Sequence, residues 1–157
     1  EPVEPLPALQ VAFADSAWDG KNVPAGQMCS RCGGAGAASP RLTVSGIPAG
    51  ADALIVEFND LSYPPLSAGG GHGAVKIAVP AGKASLEVPS IPGETKDVPA
   101  GVSIVKISRG DVSGITNGAY LPPCSGGRGN LYQAMVHAVD TKTNRILAQG
   151  RINLGRY

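Results

Sequence analysis

The sequence predicts an all-β fold with little helix. The 157 residues include 22 glycines and 14 prolines, so turn chemistry recurs every few positions and leaves no room for long helices. Between these turns the sequence alternates. From Leu131 to Val139, Tyr132, Ala134, Val136 and Ala138 share one face, and Gln133, Met135, His137 and Val139 share the other. The run Ala53 to Phe58 (ALIVEF) is apolar on both faces except at Glu57, the pattern of a central strand.

Taken in order, residues 1–10 hold three prolines and read as an extended N-terminal arm, with low order at its very end. Val11 to Phe13 is a first short strand, and Asp19-Gly20 and Asn22 behind Trp18 are turn residues. Pro24 to Pro40 is a long loop containing Cys29-Ser-Arg-Cys32, and a loop of that length in a compact domain is functional or tied down. Strands follow at Arg41 to Ser45, Ala53 to Phe58 and Ala74 to Val79. Pro89 to Val98, polar and proline-containing, reads as a surface loop before a strand at Val102 to Ser108. Tyr120 to Asn130 (YLPPCSGGRGN) is a turn-rich loop in which prolines withhold donors and glycines permit positive φ. It feeds the alternating strand Leu131 to Val139. Thr141 to Arg145 turns the chain into a closing strand at Ile146 to Leu154. One domain of this length buries a sizeable core, and residues 1–157 read as that single domain.

Composition excludes several function classes. Thirteen Lys+Arg against twelve Asp+Glu, with no basic run, argue against a nucleic-acid binder. No apolar stretch reaches ~18 residues, so no transmembrane segment is expected. Three cysteines and only 16% charged residues favour an exported protein, periplasmic or secreted; the start at Glu1 fits either a processed chain or one cut from a longer protein. The chain has no G-x-S-x-G elbow, P-loop or dinucleotide fingerprint, and Asp60 has no evident acidic partner in sequence. The chain therefore reads as non-catalytic, with no cofactor.

Four stretches together resemble the phosphatidylethanolamine-binding proteins, especially their bacterial, Raf-kinase-inhibitor-like members. They are Val23-Pro24-Ala25 with Cys29 and Ser39-Pro40-x-Leu42; Ser45 to Gly50 with ALIVEFND; Pro122 to Asp140; and Leu147-Ala148 through Leu154 to Tyr157. The resemblance implies an antiparallel β-sandwich of Greek-key type. It also implies a small pocket for an anionic or phosphorylated group, built from the 59–72 and 120–132 loops. The departures fall on functional positions. The family's Asp-Pro-Asp-x-Pro is Asp60-Leu61-Ser62-Tyr63-Pro64 here, its His-Arg-Tyr is Asn130-Leu131-Tyr132, and the helix before its last strand is missing.

On that resemblance Asp60, His72, Tyr132, Asn130 and Arg128 are the ligand-binding candidates. Asp60 is a pocket carboxylate or a turn cap. His72 is a pocket donor when protonated or an exposed loop histidine. Tyr132 is a pocket residue or a core aromatic. Asn130 donates where the family uses histidine but carries no proton at neutral pH. Arg128 and the amides of Gly126 to Gly129 can cradle a phosphate. His137 reads as a satisfied, semi-buried strand histidine. Cys29, Cys32 and Cys124 are the disulfide candidates. In the family the two cysteine-bearing loops flank the same pocket, which implies Cys124 paired with Cys29 or Cys32 and one free thiol. A soft-metal site for copper or zinc, or a redox pair, built from the same three cysteines is the first rival. A protein–protein interaction module with a decayed pocket is the second.

Overall fold

The structure, a computed structural model, describes residues 5–157, so positions 1–4 of the expected arm lie outside the described residues. Eight strands form two antiparallel sheets: β1 (Gln10–Phe13), β2 (Leu42–Ser45), β3 (Ala53–Asp60), β4 (Ala74–Ala78), β5 (Ser85–Val88), β6 (Val102–Lys106), β7 (Leu131–Asp140) and β8 (Arg145–Arg156). The smaller sheet has the order β1-β2-β5 and the larger β6-β4-β3-β7-β8. Among the described residues, helix is confined to two single 3-10 turns, Ser30–Cys32 and Pro64–Leu66. The all-β sandwich read from the sequence is the architecture observed.

Strand β3 is the centre of the larger sheet, as its two-sided apolar pattern required. Leu54, Val56 and Phe58 point into the core. Their partners on β7 are Ala138, Val136 and Ala134, so small side chains face the two largest and leave room for the opposite sheet. That sheet contributes Leu42 and Val44 of β2 and Val88 of β5, all essentially inaccessible. One hydrophobic cluster spans both sheets, including Leu154 of β8, and takes in Trp18, Ile91 and Tyr120 from the connections. β7 and β8 join directly through a tight turn, with Asn144 at φ 58°. The Asp52 carboxylate accepts from the Thr141 N–H at 2.8 Å to hold this turn.

One sequence expectation is corrected, and two features go beyond the sequence reading. The arm is docked from Pro7 onward: the Leu9 N–H donates to the Gln149 carbonyl at 2.8 Å, and Leu9 is buried. Strand β5 had no signal of its own, because four residues with only Leu86 and Val88 apolar are too short to show a period. Pro89 to Val98 is not merely a surface loop. Ile91 is fully buried and exchanges hydrogen bonds with Ser39, while the Glu94 N–H donates to the Tyr120 carbonyl at 2.9 Å. A stretch of loop thus ties the cysteine loop to the Tyr120–Asn130 loop.

Candidate functional site

β3 ends at Asp60, and the chain leaves it through the Pro64–Leu66 turn and three glycines to return at β4. The Asn59 side-chain oxygen accepts from the Gly70 N–H at 2.9 Å and closes this excursion, delivering His72 beside the strand end. Gly73 sits at φ 106°, and a Cβ there would lie 2.0 Å from the Ala119 carbonyl oxygen, so the β4 entry and the Tyr120 loop are in direct contact. The Leu121 N–H then donates to the His72 carbonyl at 2.8 Å. These contacts bring three segments to the same end of the larger sheet.

Between them lies a pocket of about 260 Å³ whose lining includes Asp60, His72, Arg128, Asn130 and Tyr132, the five ligand-binding candidates named from the sequence. Asp60 is buried, caps its turn and lines the pocket. Its Oδ1 accepts from the Ser62 N–H at 3.0 Å as a turn cap, and its Oδ2 accepts from Asn130 Nδ2 at 2.9 Å across the pocket. One of the two Asn130 side-chain N–H donors that the sequence assigned to a ligand is therefore engaged with Asp60. Tyr132 is 2% exposed, and its hydroxyl oxygen accepts from the Cys124 N–H at 3.2 Å. Burial and the Asp60 charge push its pKa up to about 12.

His72 is 3% exposed, which rules out the exposed-loop alternative. Its Nδ1 lies 2.6 Å from the Leu121 carbonyl oxygen, an acceptor only, so Nδ1 carries a proton and donates. In the neutral ring Nε2 is then an acceptor. Burial holds the His72 pKa below its ordinary value, against the opposing pull of the Leu121 carbonyl and of Asp60. The sequence-based picture of a protonated donor therefore applies only on the acid side of the usual histidine range.

Arg128 stands exposed at the rim, and among the described residues its guanidinium has no carboxylate partner. Gly126, Gly127 and Gly129 all have positive φ, and Ser125 Oγ accepts from the Arg128 N–H at 3.2 Å while donating to the Tyr157 carbonyl. Sequence reasoning missed Asp111, Val112 and Tyr63, which also line the pocket. Asp111 supplies the second carboxylate that the sequence did not reveal. It lies on a loop with no periodicity, so only the contact between loops brings it here.

Cys29 and Cys124 are joined, with Cα atoms 5.2 Å apart, and Cys32 is free. The Cys29 N–H also donates to the Pro123 carbonyl at 2.8 Å, so the staple and the backbone fix the same approach. His137 lies outside the pocket and is satisfied as expected. Gln149 Nε2 donates to its Nδ1 at 2.9 Å, and its Nε2 donates to Glu57 at 2.5 Å. That bond is the main cause holding the Glu57 pKa below its usual value. His137 and Glu57 border a wider groove of about 640 Å³ on the outer face of the larger sheet.

Two crystal structures share this fold along nearly the whole chain. A phosphatidylethanolamine-binding protein homologue from Chlamydia trachomatis, CT736, is 21% identical, covers 96% of this chain and 97% of its own, and superposes with a TM-score of 0.55. YbcL from E. coli, described as a new member of the mammalian phosphatidylethanolamine-binding protein family, is 24% identical over 95% of this chain and 97% of its own, with a TM-score of 0.61. The chain has the phosphatidylethanolamine-binding-protein fold. No family profile and no curated protein matches the sequence. The phosphatidylethanolamine-binding-protein fold thus rests on the shape shared along the chain, and the pocket of this protein rests on its own residues.

Proposed function

We propose that this protein is a non-catalytic binding protein for a small phosphorylated group, taken up in the pocket between Asp60, His72, Arg128 and Tyr132. The observation that carries the reading is the convergence of these residues, from three separate stretches, on one pocket of headgroup size. The charges of the lining refine it. Asp60 and Asp111 oppose the single guanidinium of Arg128, so an isolated anion meets as much repulsion as attraction. A zwitterion satisfies both sides, with its phosphate on Arg128 and the glycine amides and its ammonium on the carboxylates and neutral His72. The pocket hydroxyl of Ser125 is spent on Tyr157 and Arg128, which favours binding over nucleophilic chemistry. The disulfide fits an oxidising, exported location, and no helix of the described residues is long and apolar enough to cross a membrane.

Titration of backbone amides with phosphoethanolamine and with inorganic phosphate tests the proposal. Phosphoethanolamine is expected to bind more tightly, with affinity in the high-micromolar to millimolar range for a shallow site. Arg128→Ala should weaken both ligands, and Asp111→Asn should weaken phosphoethanolamine alone. Shifts that avoid residues 60, 72, 111 and 124–132 would sink the small-ligand reading and leave the interaction-module reading in its place.

A further inference from the structure

The three cysteines form one cluster: their sulfurs all lie within 4.8 Å of one another, although only two are bonded. Cys29 is completely buried, while Cys32 and Cys124 are partly accessible. Cys32 lies at the end of a tight turn whose N–H donates to the Cys29 carbonyl at 2.9 Å. A turn closed in this way keeps its terminal Cα atoms within about 7 Å, close to the window of about 4.4–6.8 Å that a disulfide requires. Cys29 is therefore bonded to one partner across the loops and has a second thiol within 4.8 Å along its own turn. The turn is held from outside as well. Both oxygens of Glu94, itself at φ 56°, accept from Ser30, at 2.9 Å from the N–H and 2.6 Å from the hydroxyl.

From this cluster we propose that Cys29, Cys32 and Cys124 form a thiol–disulfide exchange centre that releases a thiol at the wall of the pocket. The Cys32 thiolate attacks Cys29 Sγ, the Cys29–Cys32 bond forms, the Cys29–Cys124 bond breaks, and Cys124 departs as a thiolate. The proton lost by Cys32 to solvent is matched by the one Cys124 takes up, so the exchange needs neither oxidant nor reductant. Cys124 lines the pocket, and its N–H holds the Tyr132 hydroxyl, so the released sulfur stands beside the candidate binding residues. Burial of Cys29 protects it from outside thiols and confines its change of partner to the cluster. The proposal does not depend on any ligand for the pocket.

The test is disulfide mapping of the folded, oxidised protein. Wild type and Cys32→Ser are incubated in mildly alkaline buffer, acid-quenched at intervals, unfolded and alkylated with a maleimide at low pH, and digested without reduction. Cys32→Ser keeps the native staple, so its amide spectrum should match that of the wild-type Cys29–Cys124 isomer and guards against misfolding. In wild type two isomers are expected, Cys29–Cys124 with Cys32 labelled and Cys29–Cys32 with Cys124 labelled, the second rising with time to a constant share. In Cys32→Ser labelling of Cys124 should fall to background. Cys32 as the sole labelled cysteine in wild type at all times would overturn the proposal, as would a Cys32–Cys124 bond with Cys29 labelled. Three labelled thiols accompanied by stoichiometric copper or zinc would overturn it in favour of a metal site.

Discussion

His72 is subject to two opposing influences on its proton. Burial disfavours the charged ring, while the Leu121 carbonyl and the Asp60 carboxylate favour it, and burial is the largest of the three. Its folded pKa is thus below the ordinary 6.5, and the unfolded chain takes up the proton first as pH falls. The contribution of neutral His72 to stability is complete above 6.5 and is lost progressively as pH drops through the window down to the folded value. Urea melts between about pH 7.5 and about pH 5 should show a falling midpoint that His72→Gln flattens. A midpoint that rises over the same interval would contradict the burial argument. Phosphate affinity should change in the same window, increasing on acidification as Nε2 becomes a donor. Tyr120 poses a simpler case. Its ring packs edge-on against Phe58 with centroids 4.7 Å apart, but its hydroxyl has no hydrogen-bond partner among the described residues. Tyr120→Phe should therefore raise stability by about 1 kcal/mol, read as a higher melting temperature.

At the scale of elements, the β3–β4 connection decides whether the pocket exists. Asn59 closes it through the glycine amides, and Gly73 lets the β4 entry pass against the Ala119 carbonyl. No side chain fits at Gly73, because φ is positive and the obstacle is backbone. Gly73→Ala should cost about 3 kcal/mol and broaden the amide signals of residues 119–124, a pattern that hydrogen exchange can map. Gly126, by contrast, has open space around its Cβ position. Gly126→Ala should cost about 1 kcal/mol through φ alone, and the difference between the two variants separates contact from conformation.

For the whole molecule, the Cys29–Cys124 bond spans 95 residues and links the loop before β2 to the loop before β7. Closing a loop of that length restricts the unfolded chain by about 4–5 kcal/mol in the chain-entropy account. Cys124→Ser should lose all of that in chemical denaturation if both remaining thiols stay reduced, and about 3 kcal/mol if Cys29 pairs with Cys32, because the shorter loop restricts the chain by only about 2 kcal/mol. Cys32→Ser should leave stability unchanged. Equal losses in both variants would contradict assigning the stabilisation to the long staple alone.

The sequence by itself determined the strands and their faces. ALIVEF and LYQAMVHAV specify a buried face through period-two alternation, a local property that register cannot shift without exposing Phe58 or Val136. It also determined, through shared motifs, which residues to look for in the pocket, and Asp60, His72, Asn130, Arg128 and Tyr132 do line it. What those residues do there was decided by tertiary structure. The state of His72 depends on burial and on a carbonyl 49 positions away, and Asn130 is committed to a carboxylate 70 positions away. Asp111 reaches the pocket from an aperiodic loop, and β5 forms only because β2 offers it an edge. Alternation and turn chemistry act between neighbours and are written in the chain order. Proton placement, hydrogen-bond commitment and charge balance act through space, and only the folded contacts set them.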